Sequence, residues 1–215
     1  YVAPGSRFDK EAAGGEDRYY HLVLLAENNT GYSNLMKIVS KGFTEGYYYK
    51  PRVDMEILNR YHEGIIALSA CLAGEVQRYI AKNMPEEARK AARKYEACFG
   101  RGNFFLELQD HGYPEQRQVN TELLKMSREL DIPLVATNDV HYTYEKDADS
   151  HDILLCLQTG KKLADQEESH KAALKAVQDR EATLQTEFET EAAGWDEARQ
   201  TLVSGDGQIE DLVDG

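Results

Sequence analysis

Asp139 and His141 are the residues whose types and spacing most directly suggest chemistry. They stand two positions apart at the end of the apolar run "PLVATND", so a strand there points both side chains to the same side. A carboxylate and an imidazole together suit Zn²⁺ or Mn²⁺. On its own, however, an Asp-x-His pair is more often a hydrogen-bonded strand end than a metal site.

Further candidates lie beside other apolar runs. Cys71 follows "IIALSA", and His21 stands just ahead of "LVLLA". Each has an ordinary structural explanation, because a free cysteine usually behaves as a small buried residue and a histidine beside a core strand is usually hydrogen bonded. Several strand ends that each carry such a residue are more suggestive than any one of them. His111, after "NFFLELQD", is another candidate by position.

A cluster of aromatic and basic residues occupies "YYYKPR", residues 47–52. Aromatic rings stack on bases and cations hold phosphates, so Tyr48, Lys50 and Arg52 are predicted nucleic-acid contacts. A packed loop whose cations extend to solvent fits the same residues. The formal net charge of −13 argues against a broad nucleic-acid-binding surface, so any such contact is expected to be local.

The elements that would position these residues are alternating strands and helices. Buried strands are predicted from the apolar runs at 19–26, 64–70, 103–109 and 133–139. Helices are predicted at 30–43, 74–83, 85–100, 114–130 and 148–160. The alternation indicates an α/β fold with a parallel sheet, either a barrel or an open sheet, with sites at the carboxyl ends of the strands.

The period within the helix at 114–130 predicts which of its side chains are buried. They are Val119, Leu123, Leu124 and Met126.

No glycine-rich nucleotide-binding motif occurs anywhere in the sequence, so the sequence does not favour a fold that binds nucleotide phosphates through such a loop.

The end of the chain differs from the rest in charge and pattern. From Gln166 onward there are 4 Lys and Arg against 13 Asp and Glu, a net charge of −9, which leaves −4 for residues 1–165. Apolar residues recur there every seven positions, with interruptions, at Leu174, Phe188, Trp195 and Leu202. A second set lies three positions after members of this seven-residue repeat, at Val177, Leu184 and Ala198. The pattern predicts an amphipathic helix that ends near Ser204, packing either on its own domain or on a helical partner.

Longer stretches carry a family resemblance. Five segments resemble the PHP (polymerase and histidinol phosphatase) domain of the bacterial DNA polymerase III alpha subunit. They are "HLVLLAENNTGYSNLMKIVSKGFTEGYYYKPRVD", "IIALSACLAGEV", "FFLELQDHG", "LVATNDVHY" and "DSHDILLCLQTGKK". The resemblance implies that residues 1–166 form part of a distorted (β/α)7 barrel. The first strands of the family's barrel are missing from this segment. Residues 167–215 are predicted to form an acidic amphipathic helical tail outside the resemblance, and a fusion or a foreign segment would explain this tail.

Carried over position by position, the resemblance implies metal ligands at His21, Cys71, Asp139 and His141. His111 matches no ligand of the family. The family's early His-x-His and one acidic ligand would precede Tyr1, so an incomplete site for Zn²⁺ or Mn²⁺ is expected.

The implied function is metal-dependent 3′–5′ phosphodiester hydrolysis, or proofreading, within a DNA-directed DNA polymerase. DNA and other replicase subunits are the expected partners, no membrane span is expected, and widely spaced cysteines in odd number favour the cytoplasm. Two alternatives stay open: a non-catalytic scaffold or interaction domain of the same fold, and a barrel metallohydrolase of another kind. The chain by itself is expected to be inactive, because four donors satisfy about one tetrahedral ion and a two-metal displacement needs more.

Overall fold

The computed structural model describes residues 1–10 and 18–213, without the side chains at 166, 169, 170, 173 and 194–213. The chain forms two compact units, Tyr1–Val140 and His141–Gly215. Among the described residues, no helix combines the length and the apolar character that crossing a bilayer requires.

The first unit contains four strands and five helices among its described residues. In chain order they are β1 (Val23–Ala26), α1 (Asn29–Thr44), α2 (Met55–Tyr61), β2 (Ile65–Leu68), α3 (Glu75–Ala81), α4 (Pro85–Phe99), β3 (Phe104–Leu108), α5 (Pro114–Leu130) and β4 (Leu134–Ala136). The α/β class predicted from the sequence is confirmed. The sheet has four strands, and a closed barrel remains an expectation.

The strands lie in the order β1-β2-β3-β4. β2 pairs parallel with β3, and β3 pairs parallel with β4, whereas β1 is antiparallel to β2. The prediction of a parallel sheet is therefore wrong for β1. The reason is that two helices, α1 and α2, connect β1 to β2, so the chain returns to the edge of the sheet at which β1 ended.

The short helix α2 was not expected from the sequence. It begins after Asp54, whose side chain accepts a hydrogen bond from the backbone N–H of Ile57, as a helix N-cap does. The same carboxylate accepts hydrogen bonds from the backbone N–H and the guanidinium of buried Arg7. This contact ties the beginning of the chain to the helix that precedes β2.

The core lies between the sheet and helices α1, α4 and α5. Its largest fully buried side chains include Tyr95, Phe104, Leu106, Leu123 and Met126. Val119 is also buried, as the helical period predicts, but Leu124 is 42% exposed, and its predicted burial is wrong. The reason is that Leu124 follows Leu123 by one position, or about 100°, which turns its side chain off the buried stripe of α5.

The second unit is helical over its described residues. It contains a 3₁₀ turn at Glu145–Asp147, α6 at Ala148–Thr159 and α7 at Leu163–Val213. No residue of α6 is buried, and the apolar side chains Leu174, Val177, Leu184 and Phe188 of α7 are between 48% and 69% exposed. The backbone of α7 continues past Ser204, where the sequence pattern predicts its end. The heptad side chains of Trp195, Ala198 and Leu202 lie outside the described residues.

Candidate functional site

The candidate site lies at one edge of the sheet. Because β1 is antiparallel to β2, the beginning of β1 meets the carboxyl end of β2, with Val23 opposite Leu68. The carboxyl ends of β3 and β4 lie at the same edge because both strands run parallel to β2. His21, which precedes β1, and Cys71, which follows β2, are therefore brought to the same edge.

His21 and Cys71 are in direct contact. The Cys71 Sγ atom lies 3.5 Å from Nδ1 of His21. The backbone N–H of His21 donates to the Ala73 carbonyl oxygen at 3.0 Å, which fixes the histidine against the loop that carries the cysteine. The rings of Tyr1 and Tyr19 flank the imidazole, with centroids 5.1 and 6.3 Å away. The pair is thus held by both backbone and ring contacts.

The surroundings keep both groups uncharged in the absence of a metal. Burial lowers the pKa of His21, and the positive charge of Arg78 lowers it further. Burial raises the pKa of the Cys71 thiol, and the negative charge of Asp139 adds to the effect. A neutral imidazole has a free lone pair at neutral pH, whereas the thiol must lose a proton before it can bind an ion.

Asp139 lies close enough to act on both members of the pair. Its negative charge opposes the lowering of the His21 pKa and raises the pKa of Cys71. The residue has a φ of 47°, in the left-handed region that non-glycine residues adopt infrequently. Three of the four predicted ligands therefore gather at this edge of the sheet.

His141 is the first residue of the second unit. Within that unit its ring lies 5.9 Å from the ring of His151, and the Tyr142 ring lies 5.2 Å from the same histidine. Its predicted role as a ligand stays a prediction.

The spacing of the pair can be compared with the requirements of zinc. With Zn–S near 2.3 Å and Zn–N near 2.0–2.1 Å, two tetrahedral ligands lie about 3.5 Å apart. The distance between Sγ of Cys71 and Nδ1 of His21 has this value. Across residues 1–10 and 18–213, however, no group of three or more His, Cys, Asp and Glu side chains is arranged to hold an ion. The residues fit two ligand positions of one ion, with the Asp139 charge nearby.

Glu107 is a site residue that the sequence interpretation missed. It is 4% exposed, at the end of β3, and Oε2 accepts a hydrogen bond from the backbone N–H of Ala70 at 3.0 Å. Its Oε1 atom accepts from Gln109 Nε2 at 3.0 Å and from the Thr137 hydroxyl. Ala70 itself has a φ of 66°, so Glu107 stabilises a strained residue directly before Cys71. A glutamate within the apolar run "NFFLELQ" is the sequence signal that marks it.

His111 has a supporting position beside the Asp139 turn. Its Nε2 atom lies 3.0 Å from the carbonyl oxygen of Asn138, and its Nδ1 atom lies 3.0 Å from Nε2 of buried Gln116. Since the amide of Gln116 donates to Nδ1, the ring proton is on Nε2 and is donated to Asn138. His111 therefore holds the peptide that immediately precedes Asp139.

The predicted nucleic-acid contacts have different environments. Arg52 is 2% exposed, and its guanidinium donates to backbone carbonyl groups, including those of Gly46, Arg18 and Asp9. Tyr48 is half-buried, with its ring 5.0 Å from the Arg52 guanidinium. Lys50 is exposed. Of the two predicted cations, Lys50 is the one whose charged end is accessible.

The sequence is similar to curated proteins described as DNA polymerase III subunit alpha. It is 50% identical over 165 residues to the protein from Treponema pallidum, covering 77% of this chain and 14% of that protein. It is 47% identical to the Deinococcus radiodurans protein, covering 77% of this chain and 13% of that protein, and 43% identical to the Thermus aquaticus protein, covering 78% and 14%. The chain thus spans about one seventh of the length of these relatives.

The comparison with protein families gives the same assignment. Residues 3–111 match the PHP domain, and this segment includes His21, Cys71 and Glu107. The resemblance read from the sequence is confirmed, and the chain belongs to the PHP domain family.

Proposed function

We propose that this chain is the PHP region of a bacterial replicative DNA polymerase and that its site serves metal-dependent 3′–5′ phosphodiester hydrolysis. The observation that carries the proposal is the contact between His21 and Cys71 at the edge where Asp139 also lies. Imidazole, thiolate and carboxylate are ligands of Zn²⁺, and imidazole and carboxylate also suit Mn²⁺. The family membership and the relatives described as DNA polymerase III subunit alpha support the same reading.

The residues of the chain would have distinct roles at such a site. A bound Zn²⁺ or Mn²⁺ would supply a hydroxide nucleophile at neutral pH and offset charge on the phosphate. His21, Cys71 and Asp139 would hold the ion, and His141 remains a fourth proposed ligand on the sequence resemblance alone. Glu107 and His111 would orient the two turns that carry Cys71 and Asp139, as supporting residues do in metal sites.

The wider setting is part of the same proposal. The sheet would belong to a distorted (β/α)7 barrel, and the protein would act on DNA in the cytoplasm together with other replicase subunits. The exposed apolar side chains of α7 would pack on a helical partner. The three cysteines are free, as a reducing compartment requires.

A non-catalytic scaffold of the same fold is the second candidate. The observation in its favour is that, over the described part of the chain, no group of three or more His, Cys, Asp or Glu side chains is arranged so that it could hold an ion. For the chain by itself we therefore expect negligible hydrolysis. The family match accounts for the same residues without a metallohydrolase of another kind.

A chimeric polymerase separates the two candidates. The matched segment of the Thermus aquaticus relative would be replaced by residues 1–165 of this chain, and release of nucleotides from a labelled single strand would be measured with Mn²⁺ or Zn²⁺. We expect release that Cys71→Ser and Asp139→Asn each reduce by at least about tenfold. Equal release by all three proteins, or a chimera that polymerises but releases no nucleotides, would leave the scaffold reading in place.

A further inference from the structure

A strip of aromatic rings and cations extends outward from the His21–Cys71 pair. The ring of Tyr1 lies 5.1 Å from the His21 ring and 4.9 Å from the ring of Tyr19. The Nζ atom of Lys50 lies 5.7 Å from the centre of the Tyr1 ring. We call this surface the aromatic strip; it consists of Tyr1, Tyr19, Lys50, Tyr49 and Arg18.

The outer part of the aromatic strip is a tight hairpin. Tyr48 and Lys50 form a backbone bridge, and Tyr49 stands at the tip between them with a φ of 61°. The guanidinium of Arg18 lies 4.3 Å from the centre of the Tyr49 ring. Tyr49 is 59% exposed, so an energetically costly backbone conformation presents a large ring and an adjacent cation to solvent.

The composition of the strip contrasts with that of the chain. The formal net charge is −13, yet the rings of Tyr49 and Tyr1 each have a cation against them, Arg18 and Lys50 respectively. A surface on which tyrosine rings stand beside cations suits a ligand that carries both phosphates and flat bases.

We infer that the aromatic strip binds the end of a single-stranded nucleic acid and directs it toward the His21–Cys71 pair. Bases stack on the exposed tyrosine rings while Lys50 and Arg18 bind the phosphates, a combination found in single-strand binding surfaces. A duplex keeps its bases stacked within the helix and cannot use the rings. The inference rests on the proposed function, because it names the surface that would lead the strand to the same site.

The test measures binding without cleavage. The full chain in EDTA would be titrated against a fluorescein-labelled oligothymidylate of about 12 nucleotides, and its fluorescence anisotropy recorded. Tyr49→Asn removes the ring while keeping a residue that tolerates positive φ. The matched control is Tyr32→Asn, since Tyr32 is 58% exposed on α1, which begins at the opposite edge of the sheet. We expect Tyr49→Asn to weaken binding about fivefold or more and Tyr32→Asn to leave it unchanged.

A second pair of variants tests the phosphate contacts. Lys50→Ala is compared with Lys125→Ala on α5, which removes the same charge from an exposed position. Only Lys50→Ala is expected to lower the slope of log affinity against log salt, by about 0.7. An abasic strand of the same length should bind the unaltered chain at least as weakly as the oligothymidylate binds Tyr49→Asn.

Three results would overturn the inference. They are equal effects within either matched pair, undiminished binding of the abasic strand, and binding of the duplex as tight as that of the single strand. Because no metal is present, these results leave the chimera experiment unaffected. Loss of metal-dependent release with retained strip binding would instead contradict the proposed function alone.

Discussion

The two turns that carry Cys71 and Asp139 have the same backbone strain but different supports. Ala70, directly before Cys71, has a φ of 66°, and Asp139 has a φ of 47°. The first turn is anchored by Glu107, which is 4% exposed and accepts hydrogen bonds from three residues. The second is held by His111, whose ring is exposed and donates to the Asn138 carbonyl.

This difference indicates how the site is built. The Cys71 turn belongs to the core and is expected to be formed whenever the unit is folded, because a buried carboxylate with several donors is costly to disturb. The Asp139 turn is supported from the surface, so it is expected to be the adjustable part of the site. Changes to the first turn should therefore affect folding, and changes to the second should affect metal binding.

Glu107→Ala should give the largest effect on stability. It leaves the backbone N–H of Ala70 and the hydroxyl of Thr137 without their acceptor, and it leaves Gln109 Nε2 with only the longer contact to Thr137 at 3.4 Å. Each buried unpaired group costs about 1–3 kcal/mol. We expect the free energy of unfolding to fall by about 3 kcal/mol or more, measured by urea denaturation. The exposed Glu115→Ala, in the first turn of α5, is the control and should change it by less than about 0.5 kcal/mol. A fall below about 1 kcal/mol for Glu107→Ala would mean that the turn does not depend on its buried anchor.

His111→Ala should act on metal affinity instead. Loss of the hydrogen bond to Asn138 frees the peptide before Asp139, and supporting residues of this kind typically change metal affinity 10–100-fold. We expect roughly tenfold weaker Zn²⁺ binding in a competition assay, with a stability loss of about 1–2 kcal/mol because the buried Gln116 amide loses its acceptor. His62→Ala, another exposed histidine bonded to a backbone carbonyl, is the control. If His111→Ala unfolds the unit or leaves affinity unchanged, the two turns do not differ in the way described.

Metal affinity should rise with pH through neutrality because of Cys71. Burial raises the pKa of this thiol, so the metal-free protein carries the proton at pH 7 and releases it on binding. Burial lowers the pKa of His21, so the imidazole is already neutral there and adds no pH dependence. We expect affinity to increase about tenfold per pH unit between about pH 7 and 8. An affinity independent of pH in this range would exclude the Cys71 thiolate as a ligand.

Glycine substitutions in the two turns should give the smallest effects. Asp139 is exposed, so Asp139→Gly relieves a positive φ without removing buried surface, while loss of the carboxylate's own interactions offsets this relief, and the stability of the metal-free protein should change by less than about 0.5 kcal/mol. Ala70 is 4% exposed, and Ala70→Gly loses a buried methyl group worth about 0.8 kcal/mol, which offsets the relief of strain. Thermal unfolding of both variants measures these changes in stability. A larger gain in stability for Ala70→Gly than for Asp139→Gly would contradict the assignment of the Cys71 turn as buried and the Asp139 turn as exposed.

Much of the fold follows from local sequence patterns. The predicted strands and helices of the first unit correspond to β1–β4, α1 and α3–α5, because apolar period distinguishes them. The direction of β1 does not follow, since strand direction depends on the whole connection between two strands. Helix α2 was missed because seven residues with two buried positions, Ile57 and Leu58, leave too short a period to recognise.

The site was predicted less completely than the fold. His21, Cys71 and Asp139 stand out by residue type at strand ends, and the structure gathers them at one edge. Glu107 was missed because a single carboxylate in an apolar strand does not reveal which backbone groups it will meet. The buried position of Arg52 was also not predictable, since its carbonyl partners come from segments up to 45 residues away in the sequence.

A cobalt titration tests the central claim most directly, since Co²⁺ takes zinc-like tetrahedral sites and a bound thiolate gives a charge-transfer absorption in the near ultraviolet. The unaltered chain and the control Cys156→Ser, which changes a half-buried cysteine of the second unit, should both show this band at one ion per chain. The band should disappear in Cys71→Ser, and binding should weaken in His21→Ala. Absence of the band from the unaltered chain, or its persistence in Cys71→Ser, would contradict a metal site built on His21 and Cys71.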